Sequence, residues 1–201
     1  ADLGSPNAMF NLGASHYGTV GKGGDDEAAL REARIWFEKG AELGEPDSML
    51  HLALFHRDGM GGLTADRGRH HDWLKRSAEF GNTDAMRMMA AGLHKGEYGR
   101  VDDAGARALL ERAVDGGNVD ALGNLALFLL EGWGGPKDPT RARTLLEKAV
   151  SGQNLDAITM LAKAHERGNF GKPDKTEAKR LYRLAADLGD TDAAAALGRL
   201  K

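Results

Sequence analysis

The chain contains no cysteine, which removes disulfides, thiolate metal sites and cysteine nucleophiles together. It also lacks any apolar run near the roughly 18 residues needed to cross a bilayer, so membrane insertion is not expected. Neither sign of charge dominates: the formal net charge is -3, with acids and bases interspersed throughout. Such a balance offers no basic footprint for nucleic acid and no polybasic lipid anchor. No segment alternates apolar and polar residues over strand length. Nucleophile-elbow, zincin and phosphate-loop motifs are missing too. The glycine clusters Gly21–Gly24 and Gly59–Gly62 have no following Lys-Ser/Thr, and the acidic pairs Asp25-Asp26 and Asp102-Asp103 are explained by helix capping.

What is abundant is glycine, 28 of 201 residues, and its placement is periodic. The pattern Gly-x-x-Asp-Ala occurs at 81–85, 117–121 and 189–193, with looser copies at 4–8, 44–48 and 153–157. The closing small residues, Ala8, Ser48, Ala85, Ala121, Ala157 and Ala193, are spaced by 40, 37, 36, 36 and 36. Regular self-similarity at this period marks a repeat architecture.

Each unit carries two helical patterns. The first begins at the small residue, with a stripe at i, i+3, i+4, i+7, such as Leu122, Leu125, Ala126 and Leu129. It ends at Gly59, Gly96, Gly132 or Gly168, where a left-handed residue suits a helix end. Gly132→Val is expected to cost more stability than Gly134→Ala. A short loop leads to Asp66, Asp102, Asp138 or Asp174, each placed to cap a second helix. The second-helix stripes include Ala106, Leu109, Leu110 and Ala113, and Ala142, Leu145, Leu146 and Ala149. Two such helices cannot bury their stripes alone, so units must stack. Gly13, Ala53, Ala90, Ala126, Ala162 and Gly198 mark the expected close approaches. The expectation is an all-α superhelical solenoid: one continuous domain over 1–201, with repeats at about 8–44, 48–81, 85–117, 121–153 and 157–189 and a partial copy at 193–201.

These residues resemble the Sel1-like repeat, a relative of the tetratricopeptide repeat, with pattern Ala-x-x-x-Leu-Gly-x-x-Tyr-x-x-Gly followed by Asp-x-x-x-Ala-x-x-Trp-Tyr-x-Lys-Ala-Ala-x-x-Gly. Leu125, Ala126, Gly132, Asp138, Ala142, Leu145, Leu146, Lys148 and Ala149 carry it in the fourth unit; Trp36, Phe37, Lys39 and Gly44 carry it in the first. The aromatic usual near the end of the first helix is replaced by His16, His56, Leu93, Leu129 and His165. In the second unit, Arg67 to His71 occupy the helix start, with His70 in a normally small position, so that helix is expected to begin late or splay outward.

The resemblance implies a protein-binding role without catalysis. The leading expectation is a bacterial adaptor that holds a protein or peptide in a concave groove. The alternative is an immunity protein that neutralises a secreted toxin or phospholipase. By analogy with tetratricopeptide repeats, the groove is lined by a second face of each first helix. That face carries Phe10 and Tyr17; Leu50, Leu54 and Arg57; Arg87 and His94; Leu127, Leu130 and Glu131; and then Thr159, Lys163, Glu166 and Arg167. A solvated face would be polar throughout, whereas apolar patches mark interaction sites. The same leucines and aromatics could instead fill the space between neighbouring first helices, and both readings stand open. Arg107, beside a second-helix stripe, is expected on a plain outer surface. Equivalent positions in adjacent repeats lie about 10 Å apart, too far for His16, His56 and His165 to share an ion bound at about 2 Å. No metal or cofactor is expected. Composition leaves the compartment and the oligomeric state open. A start at Ala1 fits either a processed or a trimmed chain, with a lean toward the periplasm or secretion over the cytoplasm.

Overall fold

The computed structural model describes residues 4–200. Lys201, the end of the expected final copy, lies outside them. Among the described residues there are eleven α-helices and no strand, as the doubled periodicity requires. The chain divides into two compact units at Arg100/Val101. The first contains α1 (Pro6–Tyr17), α2 (Asp26–Glu42), α3 (Pro46–Asp58), α4 (Arg67–Glu79) and α5 (Thr83–Lys95). The second contains α6 (Asp103–Asp115), α7 (Val119–Glu131), α8 (Pro139–Ser151), α9 (Leu155–Arg167), α10 (Lys175–Asp187) and α11 (Thr191–Arg199). No helix among the described residues is long and apolar enough to cross a membrane.

In both units consecutive helices pack together, α1 on α2 and α3 on α4 in the first, α7 on α8 and α9 on α10 in the second. First helices of neighbouring repeats also touch, α1 with α3 and α7 with α9. The seams are built from alanine. Ala33, Ala53, Ala106, Ala113, Ala126, Ala142, Ala149, Ala162, Ala178 and Ala185 are fully buried, interleaved with Phe37, Leu74, Leu110, Leu146 and Leu181. Small side chains let helix axes approach closely while the larger ones fill the adjacent grooves. Gly13 belongs to the same seam, because a methyl there would stand 2.6 Å from the Phe37 ring. Gly198 does not: it is exposed with open space around it, since no described helix follows α11 to pack against that face.

The ends of the helices are closely specified. Asp66, Asp102, Asp138 and Asp174 cap second helices through side chains that accept from N–H groups three residues on. First helices start two residues ahead of the repeated small residue, because the cap is the residue after the turn: Glu45, Asn82, Asn118, Asn154 or Asp190. Each of these also donates its own N–H to the preceding second helix, at Gly40, Ser77, Ala113, Ala149 and Ala185. The bond runs from C″ to C3, as in a Schellman turn.

α4 begins at Arg67 directly after its cap, so the expected late or splayed start does not occur. The reason is a hydrogen bond. His70 Nδ1 donates to the carbonyl of Ala53, 2.9 Å away on α3, which satisfies the ring in a place where a small residue is usual. Arg107 is likewise no bystander. Its side chain is only 14% exposed, lies beside Glu111 at 3.6 Å and donates to the Pro136 carbonyl at 2.9 Å. Glu111 in turn accepts from Arg141 at 2.9 Å. Residues 29 and 30 positions apart are joined in this way, something local spacing does not reveal.

The two loop glycines differ in what surrounds them, and for the same substitution the surroundings favour the larger cost at Gly134. Gly132 has φ 77° and the nearest atom to an added methyl would be the flexible Lys137 side chain at 3.0 Å. Gly134 has φ 70° as well, and its methyl would overlap the backbone carbonyl of Asp103 at the start of α6. We expect Gly134→Ala to cost on the order of 3 kcal/mol, combining strain with overpacking, and Gly132→Ala about 1 kcal/mol. Chemical denaturation of the two variants reads the order directly, and equal losses would refute it. The turn after α8 makes the opposite point. Gln153 is the one non-glycine residue with positive φ, 59°, among the described residues. Gln153→Gly should therefore stabilise the chain by about 0.5–1 kcal/mol, seen as a higher denaturation midpoint with unchanged slope.

Candidate functional site

The expected interaction face divides between the units. In the first, Phe10 and Tyr17 from α1 do not stand alone but join rings from α2 and α3. His51 is at the centre, with its ring centroid 4.6 Å from Phe37, 5.4 Å from Phe10 and 6.2 Å from Tyr17. Phe55 closes the group, 5.7 Å from Phe37 and 5.8 Å from Tyr17. The tilted and edge-on geometries are those that aromatic quadrupoles favour. His51 Nδ1 lies 2.9 Å from the Asp47 carbonyl, and a carbonyl can only accept, so Nδ1 is the donor. Tyr17 remains 40% exposed at the edge of this cluster.

His51 was not among the residues expected from sequence. It is one helical turn before Phe55, which puts it on that side of α3 but says nothing of the α1 and α2 rings that it meets. Leu50 is 9% exposed and sits in the core class, whereas Leu54 on the same helix is half-buried. Arg57 is exposed and forms a bidentate pair with Asp58, 2.8 Å at both contacts; that bond holds the Asp58 carboxyl below its usual range. Arg87 and His94 lie on α5, apart from the aromatic group. Arg87 lies 3.6 Å from Asp84 and is one-third exposed, while His94 is half-buried.

In the second unit the structure brings Leu127, Leu130 and Glu131 to one place. With Leu146 of α8 and Met160 and Ala164 of α9, the two leucines bound an apolar cavity of about 70 Å³. Leu130 is 8% exposed, Leu127 half-buried and Glu131 exposed. Lys163, Arg167 and Asn169 complete the lining. Glu166, between the two bases in sequence, is engaged elsewhere: the buried Tyr182 hydroxyl donates to its Oε2 at 2.7 Å. Burial and that bond push the Tyr182 hydroxyl pKa well up.

The histidines at equivalent repeat positions have structural surroundings. His56 and His165 are 6% and 8% exposed, while His16 is half-buried. The carbonyls of His56 and His165 accept the backbone N–H of Asp66 and Asp174 at 2.7 and 2.9 Å, as Leu129 does from Asp138 at 2.9 Å. His165 also packs edge-on against Phe170 at 5.2 Å. Burial pushes the His56 pKa down, assisted by Arg69 and Arg34 and opposed by Asp66 and Glu38, and its Nδ1 has no hydrogen-bond partner. No group of three metal-ligating side chains occurs among the described residues.

This geometry can hold another molecule by shape, apolar contact and charge. Comparison with known proteins agrees in kind. The Sel1 repeat model matches residues 6–45, 46–82, 83–118, 119–154 and 155–190. A Sel1 repeat protein from Oxalobacter formigenes aligns with a TM-score of 0.82 and 26% identity, over 98% of this chain and 79% of that one. A protective antigen of uropathogenic Escherichia coli with an SLR fold gives 0.81 at 24% identity, over 98% of this chain but 41% of its own. Cysteine-rich protein B of Helicobacter pylori gives 0.51 at 21% identity, over 67% of this chain and 96% of its own. The last two likenesses concern the fold alone. No curated protein matches the chain.

The buried histidine yields a pH test. A folded-state pKa below the ordinary 6.5 means that the unfolded chain takes up a proton first as pH falls. The His56 contribution is therefore intact above pH 6.5 and is lost progressively below it. His56→Leu places the residue found at the equivalent Leu129 and should lessen the fall in melting temperature between neutral and mildly acidic buffer. An unchanged acid sensitivity would mean that His56 protonates freely in the folded state.

Proposed function

The chain belongs to the Sel1 repeat family, whose members generally mediate protein–protein interaction, and from that premise we propose that it is a non-catalytic bacterial scaffold that holds a protein or peptide against its first helices. The observation that carries the reading is the half-exposed apolar character of that face. Tyr17, Leu54 and Leu127 keep part of their surface open to solvent where a purely solvated helix face would be polar. In the first unit the face is an aromatic patch flanked by Arg57; in the second it is an aliphatic cavity rimmed by charge. Binding energy concentrates in a few apolar or aromatic centres surrounded by polar groups that set orientation and encounter rate. Both patches have that composition.

Leu54→Glu and Leu127→Glu each put a charge on one patch. Each should reduce capture of the natural partner from lysate by about tenfold or more, with melting temperature close to that of the parent. Arg183→Glu, on an exposed position of α10, is the control and should be silent. Loss of the fold in the leucine variants would make them core residues and remove the reading. Folded variants with intact capture would place the interface elsewhere. Recovery of one folded enzyme, held very tightly, would favour the inhibitor arrangement over an adaptor that accepts several partners.

A further inference from the structure

We propose that the cavity between α7, α8 and α9 is a socket for one aliphatic side chain of a partner segment, and that the residues flanking this side chain in the partner are acidic. The assignment rests on the protein-binding reading above and gives it a chemical class. At about 70 Å³ the space falls well below the roughly 300 Å³ and more of pockets that hold whole small molecules. It nevertheless exceeds the roughly 15 Å³ that a single water needs by the same kind of measure. A branched aliphatic side chain is the right scale. Leu127, Leu130, Leu146, Met160 and Ala164 make up the apolar part of the lining and most of its exposed surface, beside the polar Glu131, Lys163, Arg167 and Asn169, so an apolar group is favoured against those five side chains.

Charge supplies the rest of the specification. Lys163 and Arg167 are one turn apart on α9, both exposed, and among the described residues neither has a carboxylate within ion-pair distance. That distinguishes them from Arg141, Arg143 and Arg180 in the same unit, which are paired with Glu111, Glu147 and Glu177 at 2.9, 2.8 and 2.7 Å. Two carboxylates near the bases are committed elsewhere. Glu166 holds the Tyr182 hydroxyl. Asp190 accepts from Thr159 and from the Ala193 N–H, and feels Lys163 only at longer range. Glu131 faces the cavity from α7 and would repel an acid on that side. A bound segment therefore runs with its aliphatic residue in the cavity and its carboxylates along α9.

The test is selection from a random dodecapeptide phage library on the full chain. The parent should enrich peptides that carry Leu, Ile, Val or Met within a few residues of Asp or Glu. A synthetic copy should lose about tenfold or more in affinity when its aliphatic residue becomes serine. It should lose as much against Lys163→Glu/Arg167→Glu, and should weaken as ionic strength rises. Both substitutions are on exposed positions, and circular dichroism melting verifies that the fold is kept. No enrichment, enrichment of basic or wholly polar peptides, or binding indifferent to the double variant overturns the assignment. Peptides lost with Leu54→Glu but retained by the double variant would sink this socket and leave the protein-binding reading standing. Partner capture that no variant disturbs would remove both.

Discussion

A chain whose described residues form eleven short helices faces one demand above others: every helix end leaves backbone groups without an intrahelical partner. Here single residues meet that demand on two sides at once. Asp66, Asp138 and Asp174 give their side chains to the helix that follows and their own N–H groups to a carbonyl of the helix before. Glu45, Asn82, Asn118, Asn154 and Asp190 do the same at the other turn of the repeat. All eleven helices have a side-chain acceptor at the N-cap. The alanine seams rely on this arrangement, because close helix approach needs loops that hold each helix in register.

Much of this was legible in the sequence, and for a physical reason. Capping, helix termination and amphipathic stripes are local, so Asp138, Gly132 and the Ala142–Leu146–Ala149 stripe announce themselves within a few residues. The parts that sequence reading missed are bonds across larger separations. Ala53 lies 17 residues before the His70 ring that it binds. Arg107 reaches Pro136, 29 residues away, and Gly134 yields space to Asp103 of the preceding repeat. The first-helix starts were misplaced for another reason. The most repetitive residue, the small one, is the third helical position, whereas the capping position varies among Glu, Asn and Asp.

The candidate site was legible to a lesser degree. Helical spacing put Phe10, Tyr17, Leu54 and Leu127 on equivalent faces of their own first helices, but it gave no means of ranking burial among them, which depends on the neighbouring helices. Leu50 and Leu130 are nearly closed off while Leu54 and Leu127, four and three residues away, are not. The histidine at position 51 was invisible as a ring partner until α1 and α2 were set beside it. The two units thus present different chemistry from the same template, rings in one and branched aliphatics with unpaired bases in the other.

The hydrogen bonds between repeats also bear on how such a chain can change in length. Asn82 donates to Asp47 at 2.6 Å and Asn154 to Asp120 at 3.3 Å, each joining the cap of one first helix to the opening turn of the previous one. Both bonds join immediate neighbours. A tandem duplication of one 36-residue period would arrive with its donors and acceptors already matched on both flanks. Four extra residues are carried by the first unit, where they lengthen α2 to 17 residues against 13 in α4 and leave the Glu45–Gly40 bond in place. Growth or shrinkage by whole repeats keeps these bonds between neighbours, whereas a smaller change keeps them only when, as in α2, it leaves the caps on either side in place.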